Sequence, residues 1–124
     1  LILFSVTGCD EKDKKIRHIL TGKWMLAEQL ENGEKKDYNI KIEFMENGTA
    51  ILVQYNKKNI EILRSEAKWK VDEEGNSITW YDDKNTADQT WTLISISPDD
   101  CVIETSVKYP GENWTIRRHL KKER

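Results

Sequence analysis

Seven turn signals divide residues 22–120 into eight short segments, and that punctuation leaves few folds open. They are Asn32-Gly33, Asn47-Gly48, Asn56–Asn59, Glu74-Gly75-Asn76, Asp82–Asp88, Pro98-Asp99-Asp100 and Pro110-Gly111. Asn-Gly adopts the positive φ values of the type I′ turn in a tight hairpin, and Pro-Gly fits a type II turn. The segments between them, near 22–30, 38–45, 49–55, 60–71, 77–81, 89–96, 101–108 and 113–120, read as strands because their apolar residues recur with period two. Ile40, Ile42 and Phe44 share a face, as do Ala67, Trp69 and Val71, and Trp114, Ile116, Arg118 and Leu120. The segment 91–96 breaks the alternation: Leu93, Ile94 and Ile96 cannot share a face without a bulge.

No helix-length pattern interrupts the series, so consecutive strands are expected as antiparallel neighbours. Eight short strands with unpaired edges are best resolved by closure of the last onto the first. The fold class that follows is all-β, an eight-stranded antiparallel up-and-down β-barrel, with an open two-sheet sandwich as the alternative. Before the strands, Asp13 caps a short helical turn through Leu20, with Ile16, Ile19 and Leu20 on one face and Gly22 just past its end. That turn is expected to plug one end of the barrel. In a closed meander the end of the last strand lies level with the start of the first. Arg118, on the inward face, is therefore expected to cover Trp24 of the Gly22-Lys23-Trp24 step in a cation–π contact, with Arg117 the other candidate.

A mean hydropathy of −0.76, with 34% charged residues against 37% hydrophobic, suits strands that turn only alternate residues inward. The interior is then filled, or lined, by aromatics. Phe44, Tyr55, Trp69, Trp80, Trp91 and Trp114 are the candidate lining of an apolar cavity. An eight-stranded barrel is just wide enough to be packed by side chains or to hold one small ligand.

A net charge of −2 gives no electrostatic reason to expect nucleic acid. The pairs Glu73-Glu74, Asp82-Asp83 and Asp99-Asp100 sit in turns, where nothing apolar would shift them for acid–base work. Asp83-x-Asn85 resembles a calcium loop, but Asp88 stands where the turn glycine is required. His18, His119 and one spare cysteine do not make a zinc site by spacing. The expectation is a monomeric, non-enzymatic domain with no catalytic residues, no metal and no cofactor.

The run Leu1–Gly8 is apolar and stops at Cys9. It reads as the residue of a signal peptide over 1–8, with Val6-Thr7-Gly8-Cys9 as a lipobox and Cys9 as the lipidated residue. A charged tether is expected over 9–17 and the barrel over 18–124, anchored at a membrane through acyl chains on Cys9. Cys101 then has no disulfide partner and reads as a buried, inert thiol.

Taken together these pieces resemble a known family. The lipobox and tether, Leu20-Thr21-Gly22-Lys23-Trp24, Phe44–Thr49, Trp69-Lys70-Val71-Asp72 with Gly75 and Ile78, Leu93–Ile96 before Asp99-Asp100, and Trp114–Arg118 are similar to the small lipocalin-like lipoproteins of Gram-negative bacteria. The resemblance spans residues 9–120. It implies a lipocalin-like barrel and an outer-membrane address in the cell envelope; the expectation added from the aromatic interior is a small apolar ligand in the open end. The alternative is a filled barrel acting as a protein–protein interaction or inhibitor module. The chain differs from larger lipocalins in its length and in lacking their C-terminal helix and disulfide.

Overall fold

In the computed structural model, which describes residues 12–82, 84, 87–109 and 111–123, nine antiparallel strands follow one helix. The segment 1–8, Cys9 and the positions Asp83 and Asn85 lie outside the described residues. Helix α1 spans 12–20. The strands are β1 (Gly22–Glu31), β2 (Glu34–Lys36), β3 (Asn39–Phe44), β4 (Thr49–Tyr55), β5 (Glu61–Val71), β6 (Ser77–Tyr81), β7 (Ala87–Ile96), β8 (Asp100–Tyr109) and β9 (Glu112–Lys122). Eight of them close in the order β1-β3-β4-β5-β6-β7-β8-β9, with β9 returning to β1. The sandwich alternative is excluded by that pairing.

The ninth strand is β2, three charged residues that pair only with β1, Gln29 opposite Lys36 and Glu31 opposite Glu34. It carries no apolar alternation and so left no trace in the sequence pattern. Its presence splits the edge of β1. Gly22–Met25 pairs with β3 and Gln29–Glu31 with β2, leaving Leu26–Glu28 between two partners.

Closure rests on bulges as well as alternation. In β7 the register slips between Leu93 and Ser95, which turns Leu93 and Ile96 toward the core and leaves Ile94 46% exposed. This is the bulge that the apolar crowding of 91–96 demands. In β1 a second slip falls between Leu26 and Glu28. Leu26 faces Leu120, but beyond the slip Gln29 faces Arg118.

The core gathers at the helix end of the barrel. Leu20, Trp24, Phe44, Trp69, Ile78, Trp91, Ile103 and Leu120 are all buried there. Ile16 and Leu20 of α1 press down on them, and Arg17 lies over the Trp69 ring at 4.7 Å while its Nη2 donates to the Glu46 carbonyl at 2.9 Å. Residues 12–17, expected as part of a solvated tether, therefore belong to the folded unit. A charged helix can lie over a barrel end provided its apolar stripe faces inward.

Candidate ligand site

The closed end is locked differently from the sequence expectation. Trp24 is fully buried, and its Nε1 donates to the Leu20 carbonyl at 2.7 Å. The cation over its ring is Lys122, 4.7 Å from the centroid, and not Arg118. The Lys122 ammonium also donates to the carbonyls of Ile19 and Thr21, at 2.8 and 2.6 Å. The inward parity of Arg118 was read correctly, but its level was not. Strand β9 runs on to Lys122, which pairs with Trp24, and the β1 bulge sets Arg118 opposite Gln29 instead. Gly22 completes the lock, since its φ is +129° and a Cβ there would sit 2.9 Å from Lys122 Cε and Nζ.

Above this lock the aromatics form a solid floor. Phe44 meets Trp69 edge-on with centroids 5.0 Å apart and stacks on Trp80 at 5.3 Å. Trp69 Nε1 donates to the Met45 carbonyl at 3.0 Å, and Trp91 Nε1 to Gln89 Oε1 at 3.0 Å. Phe44, Trp69 and Trp91 are thus packing, with both indole N–H groups satisfied. Cys101 lies in the same core, its thiol pushed up to about 12 by burial.

Resting on the floor is a chamber of about 100 Å³ walled by Ile42, Ala50, Leu52, Ser65, Ala67, Trp80, Gln89 and Arg118. Of the six aromatics expected to line a cavity, Trp80 is the one among its walls. Trp114 stands half-buried with Nε1 donating to Glu112 Oε2 at 2.8 Å. Tyr55 is on the outer face of β4, with Lys41 Nζ 5.8 Å from its ring centroid. The reason is that β4 is apolar on both sides: Ala50 and Leu52 point inward, whereas Ile51, Val53 and Tyr55 border an outer groove beside Lys41 and Arg64.

Arg118 is the charged wall of the chamber. Its Cζ lies 4.8 Å from the Trp91 ring centroid, and its Nε donates to Gln29 Oε1 at 2.9 Å. Gln29 is only 4% exposed, and its amide donates in turn to Glu31 Oε2 at 2.8 Å. Burial lowers the Arg118 pKa from the usual arginine range, with the Glu31 charge opposing the shift, and the group stays cationic at neutral pH. Gln29 also borders a wider cleft of about 490 Å³ between β1, β2 and the β4–β5 turn, lined by Leu26, Lys36, Tyr38, Gln54 and Ile62 among others. This cleft opens where β1 leaves β3 for β2, so the Gln29–Arg118 pair stands between it and the chamber.

Gln29, Gln89 and Ser65 are site residues that alternation alone does not single out, because a polar residue on an inward position looks like a break in the pattern. Parity was the usable signal: Gln89 pairs with Trp80, and Ser65 with Leu52. Among the described residues, no group of three His, Cys, Asp or Glu side chains converges as metal ligands would.

No family model matches the chain, and no curated protein matches it in sequence. Solved structures do match in shape. A complex of bovine odorant-binding protein with a selenium-containing odorant superposes with a TM-score of 0.55 at 13% identity, covering 87% of this chain and 73% of that one. The bovine lipocalin allergen Bos d 2 gives 0.54 at 14% identity, over 86% and 75%. The fold is that of the lipocalins. Lobster apocrustacyanin A1 matches with a TM-score of 0.55 at 10% identity, over 94% of this chain and 68% of that one. At such identities the likeness is one of fold. Within this lipocalin-like barrel, the packed aromatic floor leaves a chamber bounded by Trp80 and Arg118.

Proposed function

We propose that this chain is a lipid-anchored cell-envelope protein whose lipocalin-like barrel binds a small, largely apolar molecule, without catalysis. The chamber beside Arg118 carries the binding half of this reading. Its walls are mostly apolar with a few convergent polar groups, the pattern of a small-molecule site. The bovine odorant-binding protein of the same fold is complexed with an odorant, which supports the same use of the barrel. The Val6-Thr7-Gly8-Cys9 step supports the anchor. A dry cavity of about 150 Å³ takes benzene, so about 100 Å³ suits a molecule of about four to six heavy atoms.

Thermal-shift and tryptophan-fluorescence screens test this directly. Small aliphatic and aromatic compounds are expected to raise the melting point, whereas sterols and haem are not. A screen in which no compound moves the transition overturns the binding half. The anchor is tested by growth with radiolabelled fatty acid, where label retained by Cys9→Ala overturns it.

A second reading, a protein–protein module, draws on the start of β5. Ile60 and Ile62 are each 57% exposed and Leu63 50%, with Tyr38 also exposed at 41%. Exposed large apolar side chains gathered on one short segment are a feature of interaction sites. Ile60→Ser/Leu63→Ser separates the readings, since it abolishes partner capture in the second and leaves small-molecule binding intact in the first.

A further inference from the structure

The chamber holds a cation that the protein does not neutralise. Arg118 is the charged residue among its described walls. Among the described residues no carboxylate lies within 4.0 Å of its guanidinium, the ion pairs being formed elsewhere. The acid that acts on it electrostatically, Glu31, is held off by Gln29, which accepts from Arg118 with one end and donates to Glu31 with the other. A guanidinium carries five N–H donors in a planar fork. Among the described residues, Nε is the donor of this fork with a protein acceptor. Below the fork is the face of Trp91, which attracts the cation but accepts no in-plane hydrogen bond.

A half-buried cation set among apolar walls without a counter-ion is a poor structural device, because the hydration it gives up is recovered only by a matched partner. The two Nη groups match the spacing of a carboxylate's two oxygens. The rest of the wall, Ile42, Ala50, Leu52, Ala67 and Trp80, is apolar and close. We propose that the chamber selects a short monocarboxylate, with its carboxylate on the Arg118 fork and its aliphatic tail against Ile42, Leu52 and Trp80. This assignment rests on the barrel being a small-molecule binder and specifies the chemical class it takes.

The experiment compares butyrate with butyramide, a neutral molecule of the same shape, at constant ionic strength. Binding is read by tryptophan fluorescence and by thermal shift. Butyrate is expected to bind at least tenfold more tightly than butyramide, and Arg118→Gln to erase that difference without weakening butyramide. Ala67→Leu, which fills the chamber from β5, is expected to remove both. Equal binding of the two compounds to the native protein overturns the carboxylate inference and leaves small-molecule binding standing. If neither compound binds while other small molecules do, the carboxylate inference again falls alone; if nothing in the wider screen binds, both fall. Chloride or inorganic phosphate competing as well as butyrate also overturns the assignment, since the site is then a general anion site. Should Arg118→Gln fail to fold, the comparison on the native protein still decides, and Arg118→Lys is expected to retain a preference for butyrate.

Discussion

At the scale of single residues, the lock at the closed end concentrates several demands on Gly22. Its φ of +129° belongs to a region that residues with a Cβ seldom occupy, and that Cβ would press on the end of Lys122. The lysine end is flexible, but swinging aside gives up the Ile19 and Thr21 carbonyls. Gly22→Ala is therefore expected to lower stability by about 1–3 kcal/mol in urea unfolding, mostly through backbone strain. Part of that loss is shared with Lys122→Ala, so the double variant is expected to be less destabilised than the sum of the two singles. Strict additivity would show that the two residues do not act together.

Cys101 makes a separate demand through pH. Its thiol is pushed up to about 12 in the folded chain, above the ordinary value of the unfolded one. Both states hold the proton at neutral pH, so the thiol costs nothing there. Above the unfolded value only the unfolded chain ionises, and stability falls by up to about 1.4 kcal/mol per pH unit until the folded thiol titrates. Denaturation at pH 7.5 and pH 10.5 is expected to show a steeper loss for the native chain than for Cys101→Ala. Equal slopes would sink the claim.

At the scale of elements, helix α1 shows how a charged segment joins a core. Its sequence is mostly Lys, Arg and His, yet Ile16 and Leu20 recur on one side and close the barrel. Leu20 is fully buried and its carbonyl receives the Trp24 indole. Leu20→Ala is expected to lower the urea midpoint by an amount equivalent to about 2–5 kcal/mol, with unchanged m-value. Lys14→Ala, on the exposed side, is expected to change stability by no more than about 0.5 kcal/mol. The strands themselves were legible because alternation and turn chemistry agree, and their observed ends fall within two residues of the sequence reading. The β7 bulge was legible too, since Leu93, Ile94 and Ile96 overcrowd one face. The β1 bulge was not: Ala27 and Glu28 are both exposed and break no apolar pattern. Arg118 was matched to Trp24 because β9 runs on to Lys122, past its expected end at 120, and the hidden slip then moves the partner of Arg118 from Glu28 to Gln29, which is why the polar layer of the chamber was missed.

At the scale of the whole molecule, the barrel is closed unevenly. The β8–β9 ladder runs unbroken from Asp100↔Lys121 to Tyr109↔Glu112, and β9 continues onto β1 from Lys122 to Ile116. On the other side, β1 holds β3 only from Gly22 to Met25, after which the wall opens into the cleft bordered by Gln29. A ladder opens locally where few pairs and little buried surface hold it, so the seam between β1 and β3, like the equally short β5–β6 ladder, is one of the two weak parts of the wall. It is also the part adjoining the Gln29–Arg118 pair, which makes it the natural route from solvent to the chamber. Hydrogen exchange is expected to show β8, β9 and the Gly22–Met25 part of β1 opening only with global unfolding. The β2 amides and those of Ile40 and Lys41 are expected to exchange through smaller, local openings. If the chamber fills through this seam, a bound small molecule slows exchange at Gln29 and its neighbours more than at β6 or β7. Uniform protection around the barrel, or ligand protection confined to the turns at the far rim, would place the entrance elsewhere.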